Sequence, residues 1–311
     1  MIIQTGNRTD IPAFYSKWFA NRLREGSVLV RNPFNPISVT RYELRPDIVD
    51  LIVFCTKNPA PMLPYMQLLK PYHQYWFVTI TPYGTDIEPH VPPYWDVIAA
   101  FQKLSGIVGK KNMCWRYDPI LIHANFGIDR HIEDFRSMAK ALSPYTDTCV
   151  ISFIDLYTKV RRNYPEARSV SMDDQITLTK AFVEIGIEHG LTIKPCGESR
   201  RLEAYGADCS GCMTEKTFED AIGQRLHLPP NPNNRKECAC YITNDIGQYN
   251  TCGHLCRYCY ANADTALVAY NMRQHDPASP LLIGHPGPED IIHEAKQESW
   301  IEPQMRLEDF I

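Results

Sequence analysis

From residue 1 to about residue 198, short apolar runs alternate with longer amphipathic stretches, and this alternation limits the fold more than any motif in the chain. The runs 2–5 (IIQT), 27–31 (SVLVR), 50–55 (DLIVFC), 75–81 (YWFVTIT), 112–117 (NMCWRY), 148–154 (TCVISFI) and 191–195 (LTIKP) are rich in β-branched and aromatic residues and too short to be helices. Between them, Val97, Phe101, Leu104 and Val108 fall on one helical face, and Ile132, Phe135, Ala139 and Leu142 on another. A third helix is expected to be capped by Ser171 with Asp174, to bury Leu178, Phe182 and Ile185, and to stop at Gly190. Strands separated by helices become parallel, because the helix carries the chain back to begin the next strand in the same direction. Seven such units predict an α/β fold, a (β/α) barrel that is TIM-like or partial, over residues 1–200. A chain of 311 residues can bury one large core and an appended segment. Pro229, Pro230, Asn231, Pro232 and Asn233 break that segment, so residues 201–311 are expected to dock on the barrel mouth as a cysteine-rich lobe.

In strand-helix barrels the carboxyl ends of the strands converge on one open mouth, where the chemistry collects. Those ends are polar in this chain: Lys57 and Asn58, Thr81, Arg116 and Asp118, Asp155, and Cys196 with Glu198. Arg116, Asp118 and Glu198 are the catalytic candidates on the substrate side. The plainer alternative is that these groups cap strands and that Arg116 pairs with Asp118. Arg8 follows the first strand, where a guanidinium suits a carboxylate or phosphate. Asp10 beside it equally suits the cap of a helix begun by IPAFYSKWF. His275 and Asp276, ahead of Pro277, read as a turn.

Eleven cysteines, an odd number, argue against a disulfide framework and for metal or redox chemistry. Cys55, Cys114 and Cys149 sit inside apolar runs and read as core. The other eight fall between Cys196 and Cys259, and Cys252, Cys256 and Cys259 stand at C-x3-C-x2-C in YNTCGHLCRYCYAN. Three thiolates this close can wrap one corner of a [4Fe-4S] cubane and leave the fourth iron without a protein ligand. They also suit zinc with a fourth ligand such as Cys240 or His254. Cys196, Cys212, Cys238 and Cys240, with Cys209 as a substitute, offer a second four-thiolate set for another [4Fe-4S] cluster or for zinc, tying the barrel to the lobe.

The C-x3-C-x2-C spacing, with Tyr258 just before the last cysteine, resembles the signature of the radical S-adenosylmethionine (radical SAM) superfamily, and CGHLCRYCYA is similar to its spore photoproduct lyase branch. RTDIPAFY (8–15), FCTKNPAP (54–61), TPYGTDIEPHVPP (81–93), WRYDPI (115–120), ISFIDLY (151–157), DIGQYNTCGHLCRYCYAN (245–262) and HDPASPLL (275–282) are similar to the bacterial family catalogued as domain of unknown function 1848, which is grouped with radical SAM proteins and has no assigned reaction. The resemblance implies a [4Fe-4S] cluster on Cys252, Cys256 and Cys259 whose open iron docks S-adenosylmethionine. Reductive cleavage would then give a 5'-deoxyadenosyl radical that acts on an unidentified substrate. It further implies that Tyr258, Tyr260 and His254 line the cofactor and that an electron donor such as flavodoxin or ferredoxin is a partner. In most such enzymes the cluster loop follows the first strand, whereas here it follows the last. Either the fold is permuted or the lobe folds back, and the complete strand order from residue 1 favours the second.

A formal charge of -4 gives no basic footprint for nucleic acid. KVRRNYPEAR (159–168) is basic but short, so a nucleic-acid partner has no further support. No apolar run approaches the roughly 20 residues of a membrane span, and the start MIIQTGNRTD lacks the order of a signal peptide, so a cytoplasmic protein is expected. The reading from a different class is a non-catalytic zinc or electron-transfer iron-sulfur protein.

Overall fold

The structure, a computed structural model, describes residues 1–230, 238, 240, 241 and 244–303. Strand β1 (Ile2–Gln4) runs into helices α1 (Ile11–Phe14) and α2 (Ser16–Glu25), followed by strands β2 (Ser27–Arg31) and β3 (Ser38–Glu43). Strand β4 (Leu51–Thr56) leads through a 3-10 helix (Ala60–Leu69) to β5 (Gln74–Thr79), and then come α3 (Tyr94–Val108), β6 (Met113–Ile120) and α4 (Ile128–Leu142). Next are β7 (Thr148–Phe153), α5 (Thr158–Asn163), α6 (Met172–His189) and β8 (Thr192–Pro195), and beyond them α7 (Glu215–Ile222), α8 (Thr265–Arg273) and β9 (Ile291–Glu294). The local signals act as their chemistry demands. The Ser171 side chain accepts from Asp174 N, Gly190 takes the left-handed conformation (φ 71°) that ends α6, and the Asp10 side chain accepts from Ala13 N to cap α1.

Six strands form one parallel sheet in the order β1-β4-β5-β6-β7-β8. Right-handed crossovers taken in sequential order put every connecting helix on the same face. Residues of alternate parity therefore face two separate cores. On the helix side Ile52, Phe54, Trp76, Val78, Trp115, Tyr117 and Ile151 pack with Phe101, Phe135, Phe182 and Ile185. Stacked rings carry this layer, with Phe54 on Trp76 at 3.8 Å and Phe135 on Phe182 at 3.9 Å. On the other face Leu51, Val53, Tyr75, Phe77, Cys114 and Val150 meet Cys212, Met213, Phe218, Ile222 and Tyr241. Cys114 and Cys149 are buried, as their apolar runs imply, and Cys55 is half-buried against the second core.

Two expectations change. The run 27–31 is a strand, but it pairs antiparallel with β3, which alternation alone did not single out, and β9 completes this separate three-stranded sheet. The short link between β2 and β3 makes a hairpin, and a hairpin cannot supply a parallel neighbour. That leaves six strands, and among the described residues no ladder joins β1 to β8 into a closed barrel. The open inner face is covered instead by α7 and the segment around Cys240, and the β1 edge pairs with the returning chain through Gln4 N to Asn244 O (3.1 Å) and Ile246 N to Gln4 O (3.0 Å).

The segment after residue 200 spreads over the molecule. Besides α7, its 275–284 loop meets α2, where Trp18 Nε1 donates to Ser279 O and Leu281 O, and its β9 lies on β3. Pro229 and Pro230 are described, while Asn231, Pro232 and Asn233 of the breaker cluster lie outside the described residues. Among the described residues no helix is long and apolar enough to cross a membrane.

Candidate metal and cofactor site

The C-x3-C-x2-C loop lies over the carboxyl ends of β1, β4 and β5, and three side chains pin it there. Asp10, after β1, spends one carboxylate oxygen on the cap of α1, and the other accepts from Lys57 N (2.7 Å) and bonds His254 Nε2 (2.9 Å). His254 is almost fully buried, and its second ring nitrogen bonds His90 O at 3.2 Å. His90 returns the contact, its N–H donating to His254 O (3.1 Å) and its Nδ1 bonding Gly253 O (2.8 Å), while Arg257 N donates to Ile87 O (3.0 Å). Gly253 is required by close approach: a Cβ there would stand 2.7 Å from Phe14 Cε1.

A second network sits against Cys256. Glu88, buried in the loop after β5, accepts from Lys57 Nζ (2.8 Å), Thr81 Oγ1 (2.8 Å) and the Tyr258 hydroxyl. Burial opposes the Lys57 charge, yet the Glu88 carboxylate paired with it outweighs that cost and holds the ammonium above its ordinary value. Sequence reading had only marked Lys57 and Thr81 as polar strand ends, and it missed Glu88 and His90. Two acids two residues apart and one histidine in TPYGTDIEPHVPP carry no periodicity that separates Glu88 and His90 from surface residues.

None of the described cysteines is in a disulfide. Burial pushes the Cys252, Cys256 and Cys259 thiols up, so without a cation they stay protonated. Backbone N–H groups nonetheless point at sulfur: Ala261 N reaches Cys259 Sγ at 3.3 Å, Asn262 N joins it, and His254 and Asp10 supply N–H donors to Cys252. Asn262, whose Nδ2 donates to Cys252 O (2.9 Å), keeps a buried Oδ1 with no partner. Cys256 is buried and Cys252 and Cys259 are half-buried, and thiols with N–H donors aimed at them are a donor set that iron could deprotonate and hold. The outer residues of the motif are placed differently. Tyr258 turns inward to Glu88, whereas Tyr260, half-exposed, donates from its hydroxyl to Asn7 O at 2.6 Å.

Arg116 and Asp118, at the end of β6, pair with each other, and the guanidinium lies over the Phe77 ring at 5.6 Å. Burial works against the Arg116 charge, but the Asp118 carboxylate paired with it keeps it protonated. Glu198 accepts from Phe153 N (2.7 Å) and Ser152 Oγ (3.0 Å), and burial raises its carboxyl to about 7 against those hydrogen bonds. Cys196, Cys212, Cys238 and Cys240 gather separately on the inner face, with Cys212 Sγ 3.4 Å from Cys196 Sγ and 3.2 Å from Cys240 Sγ. Cys196, Cys238 and Cys240 bring their sulfurs within 4.8 Å of one another and form a group that can bind a metal.

Arg8 lines a polar cavity of about 500 Å³ with Arg31, Tyr42, Asn244, Asp245 and Lys296, outside both cysteine sets. The basic stretch 159–168 is partly spent on the cysteine loop, through Arg162 and Asn163 to Ala263 O and through Glu166 to Arg257. Asp276 Oδ1 accepts from Ala278 N (2.9 Å), the expected turn, and His275 Nδ1 bonds Leu282 O (2.7 Å).

The sequence matches the family described as Domain of unknown function (DUF1848) over residues 2–261. The chain belongs to this family. The DUF1848 match takes in the whole parallel sheet and both cysteine sets and ends just past Cys259, so α8 and β9 lie beyond it. No curated protein and no solved structure matches the chain.

Proposed function

We propose that this DUF1848 chain is a radical SAM enzyme, with Cys252, Cys256 and Cys259 as the ligands of a [4Fe-4S] cluster. One observation carries the reading. The two fourth ligands that the sequence suggests for zinc are engaged elsewhere: His254 has both ring nitrogens hydrogen-bonded, and Cys240 stands with Cys212 and Cys196. Three thiols and an uncommitted fourth corner are what a cofactor-binding iron needs. When bound, the cluster supplies one electron to the sulfonium of S-adenosylmethionine, breaking its S–C5' bond to give methionine and a 5'-deoxyadenosyl radical.

The protein's part is to hold and enclose. Asp10 and His254 fix the loop. Lys57, Glu88 and Tyr258 present a closed hydrogen-bond network beside Cys256, and Arg116, Asp118 and Glu198 extend a polar wall across the inner face toward the substrate. On this reading the six-stranded sheet is a partial barrel, residues 1–200 its core, and residues 201–311 the lobe that folds back to bring the cluster to the mouth. An electron donor of flavodoxin or ferredoxin type would supply the electron.

Electron paramagnetic resonance on anaerobically purified, dithionite-reduced protein tests the open iron. Added S-adenosylmethionine should shift the cluster signal. A cluster-loaded protein whose signal does not move contradicts the proposal and is what a saturated electron-transfer centre gives, and a colourless zinc protein contradicts it equally.

A further inference from the structure

We infer that Cys196, Cys212, Cys238 and Cys240 bind a single tetrahedral divalent ion of the zinc class, and not a second cubane. The geometry separates the two. Metal–sulfur bonds of about 2.3 Å at tetrahedral angles set neighbouring sulfurs about 3.8 Å apart. In a cubane each thiolate takes a different iron, so the sulfurs stand further from one another. Here Cys212 Sγ lies 3.4 Å from Cys196 Sγ and 3.2 Å from Cys240 Sγ, and the sulfurs of Cys196, Cys238 and Cys240 are all within 4.8 Å of one another. The cavity that Cys196, Cys238 and Cys240 line with Cys209 is only about 20 Å³. That is room for a body the size of one water molecule, not for an eight-atom cluster. Neither Cys209 nor Cys212 belongs to the group of three sulfurs within 4.8 Å of one another, but Cys212 touches two of them, Cys196 and Cys240, which places it as the fourth ligand, whereas Cys209 only borders the cavity.

The ligands come from three stretches of chain. Cys196 follows β8, Cys212 precedes α7, and Cys238 and Cys240 lie on the stretch that leads to the β1 edge and the C-x3-C-x2-C loop. One ion would therefore fasten the last strand, the cover of the inner face and the approach to the cluster loop together. Four thiolates around a dication leave two negative charges, and the half-buried Arg116 guanidinium lies beside Cys196 and Cys212 to offset part of them. This ion is independent of the radical chemistry proposed above, and either can fail without the other.

The test is metal analysis with X-ray absorption on the full chain in which Cys252, Cys256 and Cys259 are all replaced by alanine. Purified without chelator, it is expected to keep one zinc per chain with about four sulfur neighbours at about 2.3 Å. Adding Cys196→Ser and Cys240→Ser should abolish zinc retention, and adding Cys209→Ser should leave it intact. Because the serine variant can misfold, the parent measurement decides alone. A folded parent that holds no zinc even when zinc is supplied, or that holds several irons with acid-labile sulfide, overturns the inference.

Discussion

At the scale of single residues the account rests on Asp10, His254, Glu88 and Lys57. Asp10 serves three elements with two oxygens, and His254 converts that carboxylate into a support for the cysteine loop. Neither touches the sulfur positions through its side chain, so both act by positioning. Removal of such a support typically lowers metal affinity about 10–100-fold. His254→Ala is therefore expected to reconstitute with less iron and sulfide per chain while its circular dichroism stays that of the parent. Lys57 and Glu88 form a buried pair, and breaking such a pair from one side costs about 3–5 kcal/mol. Lys57→Met and Glu88→Gln should each show a loss of that order in chemical denaturation. The double variant should lose less than the sum, because no uncompensated charge remains; strict additivity would deny the coupling.

At the scale of elements the helix-side core is held by stacked rings, with Phe135 between Trp115 (4.7 Å) and Phe182 (3.9 Å). Phe135→Ala should cost about 3–5 kcal/mol of stability in urea unfolding. The small sheet has its own fastening, where Arg31 clamps Asp290 at the start of β9 and holds its carboxyl down at about 2. A depressed carboxylate stabilises the fold above its ordinary value of 3.8 and loses that contribution as pH falls through about 2. The unfolding midpoints of parent and Asp290→Asn should thus differ at neutral pH and draw together as pH falls from about 4 through about 2; a constant gap would contradict the clamp. These elements were legible in unequal measure. All seven expected strands exist, because β-branched runs between amphipathic helices are a local signal. What β2 pairs with was not legible, since a strand's period does not name its neighbour, and β3 (SVTRYE) is too polar to stand out. The two cysteine sets could be read from spacing, but Glu88 and His90 could not, because their roles come from long-range contacts.

At the scale of the whole molecule, a sheet with all its crossovers on one face leaves the other face to be covered. The chain after residue 200 does this while bringing Cys212, Cys238 and Cys240 to Cys196 after β8 and the C-x3-C-x2-C loop to the ends of β1, β4 and β5. A cysteine loop that follows the last strand of the parallel sheet in sequence thereby reaches the ends of strands that come first, over β1, β4 and β5. The central claim is that Cys252, Cys256 and Cys259 hold a cluster able to cleave S-adenosylmethionine. Anaerobic protein incubated with dithionite and S-adenosylmethionine, and assayed for 5'-deoxyadenosine, tests it most directly. The parent should form 5'-deoxyadenosine and Cys256→Ala should form none; equal yields from the two, or none from a parent fully loaded with iron and sulfide, would contradict the account.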